Sequence, residues 1–180
     1  MREFDEALGN LVSCCSTMRA SFEGVWDQDQ YRIFVEHRGR PFTIFGKPSD
    51  GYFRITTTRR LLNIEGFEIS QSTPVVNIRT ELNRLYSSLD MRNIEIFEIT
   101  ETKSNDPVEY FDGFRAVAPI FVYEDRFGPK RFDESLCQID RVVTDAFQEA
   151  VDIIGVDIEG IEETVGSDDT EVDTGGRAFQ

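Results

Sequence analysis

Apolar residues in this chain recur at two different spacings, and the change between them limits the folds that the chain can adopt. Over residues 3–23, apolar side chains return every three or four positions, which places them on one face of a helix. Residues 74–89 and 133–154 repeat this helical spacing. Between these stretches, apolar and polar residues alternate one by one, as in strands with one buried face. The sequence therefore predicts a mixed α+β domain.

The strand-like stretches predict an antiparallel sheet of about five strands. Residues 30–58 are expected to form a three-stranded meander, with one turn at His37–Arg40 and another at Lys47–Gly51. Residues 93–100 and 113–123 are expected to form a hairpin joined by a long acidic loop. The predicted order is α-βββ-α-ββ-α, with the helices packed on the sheet.

The domain is expected to end before the last part of the chain. Residues 1–156 would form a single α+β domain, in which only residues 60–72 have no clear assignment. Residues 157–180 carry eight acidic residues and one arginine, and they have few apolar residues. We therefore expect an acidic tail that is mostly disordered.

Acidic residues far outnumber basic ones over the whole chain. There are 34 Asp and Glu against 19 Lys and Arg, a net charge of −15, and only three of the basic residues are lysines. This acid-rich, lysine-poor composition resembles that of cytoplasmic proteins of haloarchaea. Surface carboxylates keep a protein hydrated in molar salt, where charges are screened over about 3 Å. The resemblance implies a halophilic archaeon or one of its viruses, a cytoplasmic location, and K⁺ and Na⁺ as counterions.

The order of elements, over residues 3–154, resembles the fold shared by type III secretion chaperones and the YbjN family of small bacterial regulators. The resemblance rests on element order alone. It implies a sheet covered by helices, frequent dimerisation, and a peptide-binding, adaptor or chaperone-like role without catalysis.

The sequence gives little indication of catalysis, a cofactor or a metal. No phosphate-binding glycine loop, nucleophile elbow or zinc motif is present. The single histidine, His37, lies in a predicted turn, and the three cysteines (Cys14, Cys15 and Cys137) have no metal-ligand spacing. The acidic loop of residues 101–112 offers oxygen ligands for a hard cation, but a solvated loop is the simpler interpretation. We expect a non-enzymatic protein with no membrane-spanning segment.

The first predicted helix offers one candidate partner surface. Its apolar stripe belongs either to the core or to an interface with a protein partner or a second copy. The stripe residues are Phe4, Leu8, Leu11, Met18 and Phe22.

Basic clusters suggest an alternative function, the binding of single-stranded nucleic acid. If the sheet brings them near Tyr31, Phe34, Tyr52 or Phe53, arginines could contact phosphates while rings stack on bases. Molar salt would remove most of the gain from phosphate contacts, so this alternative ranks below protein binding. The clustered basic residues are Arg38, Arg40, Arg59, Arg60, Arg126, Lys130 and Arg131.

Overall fold

A computed structural model describes most of the chain up to Gly155. The described residues are 2–27, 30–64, 67, 73–88, 93–104, 106–123 and 126–155. The predicted acidic tail and much of the unassigned stretch 60–72 lie outside them. None of the helices within these ranges is long and apolar enough to cross a membrane.

The described residues form three α-helices, one short 3₁₀ helix and six strands, which confirms the α+β class. The helices are α1 (Arg2–Thr17), α2 (Val75–Ser88) and α3 (Pro129–Ile154), with the 3₁₀ helix at Leu61–Asn63. The strands are β1 (Ser21–Asp27), β2 (Gln30–His37), β3 (Arg40–Gly46), β4 (Phe53–Arg60), β5 (Glu95–Thr102) and β6 (Glu109–Ile120).

The first helix is shorter than its apolar stripe suggests, and an additional strand follows it. Helix α1 ends in a Schellman motif, in which Arg19 has a left-handed φ of 56° and Ala20 donates its N–H to the Cys15 carbonyl over 3.0 Å. A glycine usually marks such an end, but arginine occupies the position here. The last residues of the predicted helix, from Ser21, therefore begin β1.

The sheet is antiparallel, with strand order β1-β2-β3-β4-β6-β5. The predicted meander is confirmed as β2, β3 and β4. Its first turn is tight because Arg38 and Gly39 both have positive φ, 54° and 71°, the combination of a type I′ turn. Strand β6 begins at Glu109, so half of the loop predicted at 101–112 is strand, and the connection between β5 and β6 is short.

Helix α3 begins earlier than predicted. Pro129 is its first residue after Gly128, a position where the missing N–H of proline costs nothing. Asp133, where the predicted helical stretch begins, lies inside the helix, and its carboxylate bonds to the β2–β3 turn. The predicted end is confirmed, because Gly155 has a left-handed φ of 69° and its N–H bonds to the Val151 carbonyl.

The hydrophobic core lies between the helices and one face of the sheet. Alternate residues of β2, β3 and β4 are buried there, including Ile33, Ile44 and Ile55. From α1, Phe4 and Leu11 are buried in the same core, and Phe4 stacks on Phe53 of β4 at 5.2 Å between ring centroids. These α1 side chains are enclosed within the chain, where a partner cannot contact them.

A bulge interrupts β6 beside β5. Ile99 pairs with Gly113 and Thr100 pairs with Phe111, so Asp112 is an extra residue between them. Gly113 has a φ of 150°, and a β-carbon there would lie 1.9 Å from the Arg59 carbonyl oxygen on β4. Only glycine fits this close approach of β4 and β6.

We predict that Gly113→Ala lowers the free energy of unfolding by about 2–4 kcal/mol, because the added methyl group and the positive φ both force the backbone to move. Gly9→Ala is the matched control: Gly9 is exposed inside α1 with open space around it. It should raise stability by about 0.5–1 kcal/mol. Urea denaturation of both variants measures the difference, and equal stabilities would contradict the assignment of the bulge.

Candidate functional site

One face of the sheet has no helix on it within the described part of the chain. The side chains between the core positions of each strand point to this face, which we call the open face. It is defined here by Arg32, Phe34, Thr43, Phe45, Arg54, Thr56, Phe97, Arg115 and Val117.

The strand register places these side chains in continuous rows across the sheet. One row runs through Arg32, Phe45 and Arg54, so Phe45 on β3 lies in register between an arginine of β2 and an arginine of β4. The two arginines are separated by two strand spacings, about 10 Å. The next row runs through Phe34, Thr43, Thr56 and Val117, and in a third row Arg115 pairs with Phe97.

The open face exposes large apolar side chains that a single-chain core would bury. Phe34 is 45% exposed and Phe97 is 49% exposed. Between them, the hydroxyl oxygen of Thr56 is buried and has no hydrogen-bond partner among the described residues. Buried polar atoms are normally paired. A partner that covered this face would bury the rings.

The charge of the open face differs from that of the whole protein. Its central strands present Arg32, Arg54 and Arg115 against one acid, Glu36 of β2, whereas Glu23 and Glu95 lie on the two edge strands. The Arg54 guanidinium donates to the Tyr52 hydroxyl at 2.8 Å and lies 5.2 Å from the centre of its ring. In a chain with a net charge of −15, the centre of this face is basic and aromatic.

The basic clusters predicted from sequence are separated in the structure, and several of their members bond to acidic residues. Arg59 donates to Asp140 and to Thr144 of α3, and Arg38 donates to both carboxylate oxygens of Asp133 at 3.1 Å. Lys130 lies 3.9 Å from Glu134 on the surface of α3. Arg40 begins β3, while Arg126 and Arg131 flank the start of α3.

The aromatic residues that were expected beside these clusters are also dispersed. Phe53 is buried in the core, and the Tyr31 ring packs edge-on against Trp26 at 5.1 Å on the helix side of the sheet. Of the expected aromatics, Tyr52 contacts Arg54 of the open face and Phe34 lies within that face. The basic residues beside it are Arg32 and Arg54, which the sequence did not single out because they are isolated in the chain.

Arg60 and Asp112 form the centre of a partly buried ion-pair network at the bulge. Asp112 is 1% exposed, and it accepts hydrogen bonds from Arg60 and from the Leu62 N–H at 2.9 Å. Glu101 of β5 accepts a second bond from Arg60. Burial lowers the pKa of Arg60, but the hydrogen bonds and charges of Asp112 and Glu101 outweigh it and raise the pKa. The network thus joins β4, β5 and β6.

The described residues of the acidic loop show no arrangement typical of a cation site. Asp106 accepts hydrogen bonds from the Tyr110 hydroxyl at 2.7 Å and from the Val108 N–H at 3.0 Å, and the Tyr110 bond is the main cause of its lowered pKa. Asp112 points to Arg60 instead, and Lys103 lies over the Tyr110 ring. Among the described residues, no group of three His, Cys, Asp or Glu side chains could hold a metal ion.

The structure brings His37 and Cys137 to the same acid, Asp133, a contact that no pattern in the sequence indicates. His37 Nε2 lies 2.7 Å from Asp133 Oδ1, and Cys137 Sγ lies 3.9 Å from the same oxygen. Burial and the Asp133 carboxylate raise the pKa of the Cys137 thiol, which disfavours the reactive thiolate. The arrangement ties the β2–β3 turn to α3 rather than activating a nucleophile.

The other two cysteines are core residues of α1. Cys14 and Cys15 are buried, and burial raises the pKa of Cys15 to about 11. Their thiols are therefore protonated at neutral pH and pack as small apolar groups.

The chain matches no model of a known protein family, and no curated protein is similar to it in sequence. The open face is thus the candidate site on the strength of its geometry alone.

We predict that Asp112→Asn lowers the free energy of unfolding by about 2–4 kcal/mol, because it leaves the Arg60 guanidinium without its buried charged partner. Glu101→Gln is the matched control, since it removes a more exposed carboxylate from the same guanidinium. It should cost about 1 kcal/mol or less. Thermal and urea denaturation of both variants test this, and equal losses would refute a central role for Asp112.

Proposed function

We propose that this chain is a non-enzymatic protein-interaction module, an adaptor or chaperone-like protein, that binds a partner polypeptide on the open face. The observation that carries the proposal is the exposure of Phe34 and Phe97 on a face without a helix in the described part of the chain. Covering apolar surface releases about 25 cal/mol for each Å² removed from water. Exposed apolar patches on otherwise polar proteins commonly mark binding surfaces.

The arrangement of charges on the open face indicates the chemistry of the partner. Arg32 and Arg54 flank the Phe45 ring, and Arg115 lies beside Phe97. Guanidinium groups pair with carboxylates in a planar, two-point geometry, and they also stack on rings. A partner segment with acidic and aromatic side chains fits both properties.

The acid-rich composition favours binding that depends on apolar contact. In the salt-rich cytoplasm that we propose for this protein, charge attraction is screened, whereas burial of apolar surface remains favourable. Rings at the centre of the face therefore supply affinity, and the arginines supply orientation. Phosphate contacts would lose most of their strength in the same medium.

Single-stranded nucleic acid is the second candidate ligand, and the row Arg32, Phe45, Arg54 is the observation that favours it. An aromatic residue in register between two arginines provides a platform for base stacking with basic residues on either side for phosphates. This row differs from the clusters that the sequence suggested. It places the basic residues and the rings on one surface, as nucleic-acid binding requires.

We predict that acidic, aromatic peptides selected from a display library in molar KCl bind the chain, and that the double substitution Phe34→Ser and Phe97→Ser weakens this binding about tenfold or more. The matched control replaces two exposed apolar residues of the helices, Val76→Ser and Ile153→Ser, and should leave affinity unchanged. Fluorescence anisotropy measures both.

Two outcomes would contradict the proposed function. Peptides that bind the Phe34 and Phe97 double variant as tightly as the parent chain would place the binding surface elsewhere. Binding of labelled oligo(dT) or oligo(rU) in the same salt, lost with Arg32→Ala and Arg54→Ala and kept with Arg84→Ala and Arg141→Ala, would favour the second candidate in place of the first.

A further inference from the structure

Strand β1 is an edge of the sheet with little protection against pairing. It exposes three large apolar side chains, with Phe22 at 39%, Val25 at 43% and Trp26 at 53%. Natural edge strands are commonly blocked by charged residues, lysine above all, by proline or by a bulge. β1 contains no lysine or proline, its two acidic residues are Glu23 and Asp27, and its register with β2 is unbroken along its whole length.

The β2–β3 turn determines which backbone groups of β1 face outward. In a two-residue type I′ turn, the flanking pair, here His37 and Arg40, exchanges both hydrogen bonds. Bonding direction alternates along a strand, so odd-numbered residues of β2 bond to β3 and even-numbered ones bond to β1. Even-numbered residues of β2 pair with odd-numbered residues of β1. The N–H and C=O groups of Phe22, Gly24 and Trp26 therefore face the free edge.

These three outward residues are symmetric about Gly24, which is the centre of the seven-residue strand. We propose that two copies of this chain pair through β1, antiparallel and centred on Gly24, so that their sheets join into one. Phe22 then lies opposite Trp26 of the partner subunit, twice in the dimer. Each outward residue donates one backbone hydrogen bond to the other strand and accepts one from it.

The side chains fit this register. Glu23 lies opposite Val25 of the partner subunit, and Ser21 lies opposite Asp27 of the partner subunit, so no like charges are directly opposed. Aromatic cross-strand pairs such as Phe22 with Trp26 stabilise antiparallel strands. The two Glu23 side chains are diagonal neighbours, and salt screens their repulsion. Dimerisation should therefore strengthen as KCl is raised.

Because Gly24 has no side chain, the Tyr31 side chain of β2 has room to lie over the centre of β1. A β-carbon at Gly24 would lie 2.1 Å from the Tyr31 hydroxyl, so the Tyr31 ring leans over this position from β2. Tyr31 contacts the Trp26 ring edge-on, and Trp26 lies 6.0 Å from the Phe4 ring of α1. The Trp26 ring is thus already packed against other rings of the same chain in the monomer, although its backbone groups face the free edge.

The opposite edge of the sheet is less suited to pairing. Strand β5 carries acidic residues at Glu95, Glu98 and Glu101, and it has a register shift between Ile99 and Thr100. Charge and irregularity are the features that prevent strand addition at an edge. The choice of β1 over β5 therefore follows from sequence and register together.

Disulfide cross-linking tests the register directly. In the proposed pairing, residues 23 and 25 of opposite subunits form a pair without backbone hydrogen bonds, with Cα atoms about 4.5 Å apart, within the range that a disulfide spans. Under mild oxidation, a mixture of the full-length Glu23→Cys and Val25→Cys chains should give covalent dimers. Either variant alone should give far fewer.

Light scattering of the parent chain, measured over a range of protein and KCl concentrations, should give twice the mass of one chain. Phe22→Pro removes an outward N–H and leaves the β1–β2 bonds in place, so it should weaken dimerisation about tenfold or more. Phe97→Lys, on the other edge strand, is the control that should dimerise as the parent does. Circular dichroism of each variant checks that it is folded.

A monomer mass under all conditions would overturn the proposal. Cross-linking of either single variant as efficient as that of the mixture would also overturn it, because it would indicate another register. The double substitution of Phe34 and Phe97 should keep the dimer, because the open face remains uncovered when β1 strands pair. A variant that loses peptide binding but keeps the dimer therefore tests the proposed function alone. A variant that loses the dimer but keeps peptide binding tests the pairing of β1 alone.

Discussion

The packing of all three α-helices on one face of the sheet governs the rest of this structure. Helix α3, with 26 residues, packs on β4 and β6, and its apolar stripe joins that of α1 in a single core. Within the described part of the chain, no element remains to cover the other face. The alternation of every strand then places rings and arginines there in rows, and this supplies the surface on which the proposed function depends.

Arginines hold the layers of this acid-rich fold together at a few points. Arg59 and Arg38 connect the sheet to Asp140 and Asp133 on α3, and Arg60 connects three strands through Asp112. Partly buried pairs are screened less by salt than exposed ones. The same residue type thus has two roles in this account: arginines bonded to acids fix the fold, and those on the open face are proposed to orient a ligand.

Periodicity predicted the helices and the meander because each depends on neighbours in sequence. It did not predict β1, because Phe22 continues the apolar stripe of α1 and Arg19 replaces the usual glycine where that helix ends. The bulge at Asp112 and the contact of His37 with Asp133 depend on partners far apart in the chain. The rows of the open face could not be predicted either, since they follow from strand order and register rather than from clusters in sequence.

Solvent access to the phenylalanine rings tests the central claim, that one face of the sheet is open. A soluble gadolinium chelate broadens the NMR signals of protons that it can approach. We predict strong broadening of Phe34 and Phe97 and protection of Phe53, Phe111 and Phe132, which are buried in the core. Protection of Phe34 and Phe97 equal to that of the core rings would show that another part of the chain covers this face, and would contradict the account.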